Sequence, residues 1–238
     1  MTPYSQGPSG ADAMTAFKYG WAKFQQHLGA IAIAIGVWVG AVIIVGVIGF
    51  LIAGAVSSLF TTTETIGGFE YETSSGGLFA SLLVTAIYAL FIFVASMAGN
   101  YGVIRGSLAI TAGRAPTTGE MFNTANVVPF LLTSLLVGVI TSIGSILCYL
   151  PGIVATFFLI FAPYYAADKG MGAVDSIKAS IAAVQNNLGN MAAFFGLSIL
   201  AYVAGAIVCG IGLLVAVPVI MLSSAYMYRT INGEPIAP

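Results

Sequence analysis

Few side chains in this 238-residue chain are of the types that perform acid–base, nucleophilic or metal chemistry. His27 is the only histidine, and Cys148 and Cys209 are the only cysteines, so the usual ligand sets for a metal ion cannot be assembled. Serine and threonine are frequent, but the sequence contains neither a Gly-x-Ser-x-Gly turn nor a glycine-rich phosphate loop. We therefore expect no catalytic residue, no metal and no cofactor, and we interpret His27 as a polar residue at a membrane boundary.

The overall composition explains why reactive groups are scarce. Hydrophobic residues make up 59% of the chain and charged residues 6%, against roughly one half and one quarter in soluble domains. Seven Lys and Arg together with eight Asp and Glu are too few to cover the surface of a soluble fold of this size. The sequence therefore predicts a polytopic membrane protein. Its net charge of -1 provides no basic surface of the kind that nucleic acids bind.

Continuous apolar runs of about twenty residues predict the membrane spans. Six are present, at about Ala30–Val56, Leu78–Ala98, Val127–Leu147, Gly152–Ala167, Met191–Val208 and Leu213–Met227. The predicted fold class is an all-α polytopic transmembrane helix bundle. Pro163 and Pro218 lie inside spans four and six, where we expect kinks rather than breaks, because neighbouring helices can bond the freed carbonyl groups.

The distribution of charge predicts the orientation of these spans. With the N-terminus inside, all seven Lys and Arg fall on the cytoplasmic side and the outer loops contain none. The charges of the outer loops are Glu64, Glu70 and Glu72, in the polar segment 61–77. We expect a multi-pass protein of the bacterial inner (cell) membrane with both termini cytoplasmic. Its parts would be a disordered tail over 1–12, a single six-helix domain over 13–233 and a C-terminal tail over 234–238.

Two amphipathic segments, before spans one and five, indicate an internal repeat. Residues 13–28 carry apolar side chains at positions 14, 17, 21, 24 and 28, and residues 173–188 carry them 160 positions later. Both segments are predicted to lie at the cytoplasmic surface of the membrane. Together with the polar segment 113–126, they divide the spans into three parallel two-span units. Two unrelated interfacial helices are the alternative.

Two further pairs of residues are candidates for contacts rather than for chemistry. Cys148 and Cys209 fall at predicted outer turns, where they either form a disulfide or are buried small residues. Gly36 and Gly40 place two small residues about one turn apart on span one. Such spacing lets another helix approach closely, either within the bundle or from a partner protein.

Three motifs together resemble a known family. They are Phe17-x-x-Gly20-Trp21-x-x-Phe24 before span one, GVIRGSLAITAG over 102–113 after span two, and Tyr165-x-x-Asp168-x-Gly170-x-x-Ala173-x-x-Ser176 before the second amphipathic segment. Over about 13–233 the chain resembles the six-span membrane domain associated with glycerophosphodiester phosphodiesterases and the related YciC-like uncharacterised bacterial integral membrane proteins. The resemblance implies an all-helical membrane fold with no settled activity, and it transfers no catalytic residue. The Gly- and Pro-containing N-terminal tail is also similar to actinobacterial proline- and glycine-rich membrane proteins.

These features predict a protein that acts through its surfaces. Because the spans contain no ionisable residue away from their ends, ion-coupled transport is disfavoured. We expect a non-catalytic accessory or scaffold subunit that binds protein partners, or lipid, within a larger bacterial membrane assembly. Gly36 and Gly40 are then the preferred docking face, and the acidic outer loop adds recognition outside the membrane. The alternative is a facilitator or transporter of a neutral or amphiphilic solute.

The predicted orientation is testable by cysteine labelling. In a chain whose two native cysteines are replaced by alanine, Glu70→Cys is expected to react with a membrane-impermeant maleimide added outside intact cells, because the loop 61–77 is predicted to be external. Lys178→Cys, the control, is expected to react only after the membrane is opened. Labelling of Glu70→Cys from the cytoplasmic side alone would disprove the topology.

Overall fold

The computed structural model describes residues 12–74, 77–121, 123–147, 149–207 and 212–238. Six helical stretches in these ranges are long and apolar enough to cross a membrane, which confirms the predicted all-α class with six spans. They are Trp38–Ser58, Phe79–Thr111, Gly119–Leu147, Tyr149–Lys169, Leu188–Ile207 and Leu213–Ile231. The chain is therefore a multi-pass membrane protein.

The helices and strands are, in chain order, α1 (Ala13–Gln26), α2 (Leu28–Ser58), β1 (Thr61–Ile66), β2 (Phe69–Ser74), α3 (Gly77–Thr111), α4 (Thr118–Met121), a 3-10 turn (Thr124–Asn126), α5 (Val127–Leu147), α6 (Tyr149–Leu159), α7 (Ala162–Lys169), α8 (Ala173–Gln185), α9 (Leu188–Ile207) and α10 (Leu213–Ile231). They form two compact units. The hairpin unit is Ile35–Gly99, and the main unit contains the residues before and after it. The single domain expected over 13–233 stays a prediction.

The hairpin unit packs α2 against α3 through glycines. A Cβ on Gly49 would lie 3.2 Å from the Cβ of Phe91, and Gly99 lies directly against the indole of Trp38, with no room for a side chain. Small residues at such positions bring helix backbones close, which is the main source of helix association in lipid. The two helices therefore meet along one side of α2.

The loop between α2 and α3, which was predicted only as a polar segment, is a β-hairpin. Strands β1 and β2 are antiparallel, in register from Thr61 opposite Ser74 to Ile66 opposite Phe69. Gly67 and Gly68 both have positive φ, at 64° and 85°, as a two-residue turn between twisted strands requires. The signal was present in the sequence, because Gly-Gly between threonine-rich runs is typical of a hairpin.

The main unit has an aromatic core where α7 meets α10. The ring of Tyr228 is fully buried and lies 4.9 Å from that of Tyr165, 5.8 Å from that of Tyr164 and 6.1 Å from that of Phe161. The last turns of α3 are buried in this unit as well, since Leu108 and Thr111 are almost fully enclosed. This burial explains why α3 continues well beyond Ala98, where the second span was predicted to end.

The structure repeats the amphipathic helices at the spacing that the sequence indicated. Helices α1 and α8 begin at Ala13 and Ala173, and the following helices begin at Leu28 and Leu188, so both pairs are 160 residues apart. The four buried positions of α8 correspond to four of the five buried positions of α1: Ala16 with Ser176, Gly20 with Ser180, Lys23 with Ala183, and Phe24 with Val184. Two unrelated helices would not be expected to share this pattern.

Half of the large apolar side chains in these two segments face away from the protein. Met14, Trp21 and Leu28 of the first segment are exposed, as are Val174 and Leu188 of the second. Small residues such as Gly20 and Ser180 face inward beside the buried Phe24 and Val184, where they allow close packing. This arrangement agrees with helices that lie against lipid on their outer side.

Each amphipathic helix packs on one helical hairpin of the main unit. Helix α8 lies against α5, α6 and α7, and α1 lies against α9 and α10. The two hairpins are themselves alike, because α5 and α9 begin 61 residues apart and each hairpin has one glycine-to-glycine contact. These contacts join Gly144 to Gly152 and Gly205 to Gly212. The helix before span one thus packs on the last two spans, which links the ends of the chain.

Span four is interrupted, so the expectation of a mere kink at Pro163 was wrong. Helix α6 ends at Leu159 and α7 begins at Ala162, which places Pro163 in the first turn of a new helix, where a missing N–H costs nothing. The hydroxyl of Ser180 on α8 fills the gap: it donates to the carbonyl oxygen of Phe158 at 2.8 Å and accepts from the N–H of Phe161 at 3.1 Å. Both backbone groups are therefore bonded without water.

Span six remains continuous through Pro218, as predicted. At the position equivalent to Ser180, α1 carries Gly20, and the hydroxyl comes from Ser223 of α10 itself. Ser223 donates to the carbonyl oxygen of Val219 at 2.7 Å, and Val219 corresponds to Phe158. A Cβ on Gly20 would clash with the Ser223 hydroxyl and lie 2.7 Å from that carbonyl oxygen. In one copy the hydroxyl therefore comes from the amphipathic helix α8, and in the other it comes from the membrane-spanning helix α10.

This difference predicts unequal effects of two serine substitutions. Ser180→Ala leaves two buried backbone groups of the break without partners, so we expect the free energy of unfolding to fall by about 1–3 kcal/mol. Ser223→Ala, the matched control, removes a bond to a carbonyl within a continuous helix and is expected to cost under about 1 kcal/mol. Thermal unfolding in one detergent compares the two variants. Equal destabilisation would contradict this account of the break.

Candidate functional site

The buried charges of the main unit gather around the C-terminal end of α10. Arg229 is buried, and its Nε donates to Oγ1 of Thr111 at 3.0 Å while its Nη1 lies 3.4 Å from a carboxylate oxygen of Glu234. The other carboxylate oxygen of Glu234 lies 3.1 Å from Nζ of Lys169. One acid therefore neutralises two cations that come from different helices.

Aromatic rings extend this network. The ammonium of Lys169 lies 5.5 Å from the ring centre of Tyr165 and 5.7 Å from that of Tyr228. The hydroxyl of Tyr228 donates to a carboxylate oxygen of Asp168 at 3.2 Å. Each charged group here has a protein partner, so the arrangement stabilises the helix ends.

The last residues of the described chain pack against the same helices. The N–H of Ala237 donates to the carbonyl oxygen of Thr111 at 2.9 Å, and Nζ of the buried Lys23 donates to the main-chain oxygen of Pro238. The segment 234–238, which the sequence predicted as a tail, is held in place by these bonds and by Glu234. Residues 1–11 of the predicted N-terminal tail lie outside the described residues.

A second charged group joins α3 to α7. Glu120 forms ion pairs with Arg114 at 3.0 Å and with Arg105 at 4.0 Å. Arg105 and Asn126 both donate to the carbonyl oxygen of Ala167, at 3.1 and 2.9 Å, and so cap the end of α7. Glu120 thus takes part in this packing.

Three ionisable side chains near α1 have shifted pKa values. Hydrogen bonds from Thr15 lower the pKa of Asp12, which caps the N-terminus of the helix. Burial, with a smaller contribution from Lys23, lowers the pKa of His27 below its ordinary value of 6.5, so the imidazole is neutral at pH 7. Burial also raises the pKa of Tyr19. His27 follows the last turn of α1, where its N–H donates to the carbonyl oxygen of Lys23.

Gly36 and Gly40, the candidate docking residues, lie on the side of α2 that faces away from α3. A Cβ on either would meet no heavy atom within 4 Å among the described residues. The 3.6-residue period places Ile43, Val47 and Leu51 on the same side, and all three are exposed. Neither glycine takes part in the packing of α2 on α3, so their role in docking stays a prediction.

The other candidate residues are only partly described. Glu64, Glu70 and Glu72 lie in the β-hairpin opposite Tyr71, Thr65 and Thr63, so no two of the acids are paired across the strands. Cys148 and Cys209 lie outside the described residues, and their disulfide stays a prediction. Within the described ranges, no group of three His, Cys, Asp or Glu could hold a metal ion.

The sequence did not predict the inward positions of Lys23, Ser180 and Arg229. The structure buries Lys23 beside Pro238. For Ser180 a signal existed, since it follows Ser176 by four residues and so lies on one side of the helix. The partners of Arg229 come from positions 108, 111, 234 and 235, which no local pattern connects.

Comparisons with known proteins place the chain in a family. It is 30% identical to the uncharacterised protein Rv2560 of Mycobacterium tuberculosis (strain H37Rv), over 96% of this chain and 71% of the relative. The same values hold for the uncharacterised proteins Mb2590 of Mycobacterium bovis and MT2637 of Mycobacterium tuberculosis (strain CDC 1551). No family model and no solved structure matches. The chain belongs to the family of uncharacterised mycobacterial proteins that Rv2560 represents.

Proposed function

We propose that this protein is a non-catalytic accessory or scaffold subunit that binds protein partners within a larger bacterial membrane assembly. It would lie in the inner (cell) membrane with both termini cytoplasmic. The observation that carries the proposal is the outward side of α2, where Gly36, Gly40 and the exposed Ile43, Val47 and Leu51 form a continuous apolar stripe.

The shape of this stripe suits another helix. Its two glycines leave the backbone accessible at one end, and branched side chains extend from it at the other. In lipid, helices associate through close van der Waals contact rather than through a hydrophobic drive, and small residues permit that contact. A partner helix would therefore cross α2 near Gly36 and Gly40 and pack along the branched residues.

The β-hairpin adds a second contact outside the hydrocarbon. It follows α2 directly and carries Glu64, Glu70 and Glu72 in its strands. On the predicted orientation, these acids face the outside of the cell and would select a partner with a basic external loop. The membrane stripe and the hairpin belong to the same unit of the chain.

The charged groups of the main unit support a role without chemistry. Arg229, Lys169, Arg105 and Arg114 each pair with an acid of this chain. The resemblance to the six-span domain that accompanies some glycerophosphodiester phosphodiesterases, and to the YciC-like proteins, is part of the proposal, since an accessory domain needs no reactive residues of its own. The mycobacterial relatives are uncharacterised and name no activity.

A facilitator of an amphiphilic solute is the second candidate. An apolar groove of about 520 Å³ between α1 and the α9–α10 hairpin favours it, because such a lining would accept a hydrocarbon chain. Flux of an amphiphile into liposomes that contain only this protein, reduced by Ala201→Phe in the groove, would support it. Gly205 is unsuited to this test because it contacts Gly212, so a larger side chain there would also separate the helices.

The docking proposal predicts the effect of a double substitution. In mild detergent the wild-type protein is expected to co-purify with a partner in fixed stoichiometry, and Gly36→Leu with Gly40→Leu is expected to weaken that association at least about tenfold, or 1.4 kcal/mol. Quantitative mass spectrometry of the purified complex provides the measurement.

The matched control is Gly138→Leu with Gly196→Leu. These glycines lie on α5 and α9 of the main unit, and a Cβ on either would also meet no atom within 4 Å. The control is expected to keep the partner. A monodisperse monomer without a companion, unchanged by either double substitution, would refute the docking hypothesis and favour the facilitator.

A further inference from the structure

The groove beside α1 combines an apolar lining with one cation. On one side it is lined by Met14, Phe17, Lys18 and Trp21 of α1, and on the other by residues of α9 and α10 that include Ala201 and Ala216. The small side chains of the hairpin leave the space open. The lining is almost wholly apolar, and Lys18 is its one charged residue.

The ammonium of Lys18 is accessible to a ligand. It is exposed and takes part in none of the ion pairs within 4.0 Å among the described residues. The charge of Lys18 helps to lower the pKa of Asp12, but the two side chains form no ion pair. One oxygen of the Asp12 carboxylate instead accepts hydrogen bonds from the N–H and the hydroxyl of Thr15, at 2.9 and 2.6 Å. Two aromatic residues, Phe17 and Trp21, line the groove together with Lys18, and Trp21 is 48% exposed. Exposed Trp and Lys side chains are typical of the headgroup level of a membrane.

The other copy of the repeat has an equivalent groove. It measures about 250 Å³ and lies between α8 and the α5–α6 hairpin. Ile177 and Ile181 line it at the positions of Phe17 and Trp21, 160 residues on. Its hairpin lining corresponds to that of the larger groove by the 61-residue shift, as Ile140 to Ala201, Ala155 to Ala216 and Phe158 to Val219. Lys178 is the equivalent of Lys18 by the 160-residue shift, but a lysine lines only the larger of these two grooves.

We infer that the groove beside α1 binds one anionic phospholipid. Its phosphate lies against the ammonium of Lys18, and one acyl chain lies between α1 and the α9–α10 hairpin, over Ala201 and Ala216. The larger volume of this groove makes it the better of the two sites. The site is on the main unit and is independent of docking through Gly36 and Gly40.

Trp21 makes the site observable by fluorescence, because the chain has only one other tryptophan, Trp38. The Trp38→Phe variant is reconstituted into dioleoylphosphatidylcholine vesicles that contain lipid with brominated acyl chains, either phosphatidylglycerol or phosphatidylcholine. The brominated phosphatidylglycerol is expected to quench Trp21 at about fivefold lower content than brominated phosphatidylcholine, the preference that one lysine near a phosphate provides.

Two substitutions separate the contributions of charge and of space. Lys18→Gln is expected to bring the preference close to one, whereas Lys178→Gln, the control at the equivalent position of α8, leaves it unchanged. Ala201→Phe fills the groove and is expected to reduce quenching by both brominated lipids. Native mass spectrometry of protein that retains Trp38 gives a second measurement. The Lys18→Gln variant is expected to carry less bound phosphatidylglycerol than the Lys178→Gln variant.

The proposal is overturned if both brominated lipids quench the parent variant equally, or if Lys18→Gln and Lys178→Gln behave alike. Absence of quenching by either lipid would also overturn it, since Trp21 would then be covered by protein. Loss of a protein partner on substitution of Gly36 and Gly40 leaves these outcomes unaffected, so the two proposals fail independently.

Discussion

The backbone groups of span four must be bonded where no water can reach them, and the hydroxyl of Ser180 meets this requirement. It bonds Phe158 and Phe161 across the interruption between α6 and α7. Because an unpaired buried N–H or carbonyl is costly in an apolar medium, the break requires α8 to be in place. The position of α8 in turn fixes α7, whose C-terminal end carries Asp168 and Lys169. The charged end of the main unit thus depends on one side chain of an amphipathic helix.

The second copy of the repeat satisfies the same constraint without a break. Ser223 supplies the hydroxyl from within α10, and Gly20 of α1 leaves the space that this hydroxyl occupies. The two packings show why α1 and α8 place the small residues Gly20 and Ser180 against the protein. Close approach of the backbones requires small residues at these inward positions, and the lipid environment accepts large apolar residues such as Trp21 on the outward side.

The two units differ in how their charged and apolar residues are arranged. In the main unit, Glu234 forms ion pairs with Arg229 and Lys169, and Glu120 forms ion pairs with Arg105 and Arg114. In the hairpin unit, α2 and α3 meet along one side, and the opposite side of α2 is apolar and exposed. We propose that the protein acts through such surfaces. Partner docking on α2 and lipid binding beside α1 are both proposals of that kind.

The sequence by itself determined the membrane class, the six spans and the 160-residue repeat, because hydropathy and helical period are local properties that survive in any packing. It also singled out Gly36 and Gly40, whose spacing is visible without a structure. It did not reveal the break at Pro163, because a proline in an apolar run kinks or ends a helix according to which side chain reaches the freed groups. The burial of Lys23 and Arg229 was equally hidden, since Lys23 donates to Pro238 and Arg229 to Thr111, and both acceptors are more than a hundred residues away in the chain. Only the tertiary structure decided these features, because a hydrogen bond between distant residues exists only after the helices have packed.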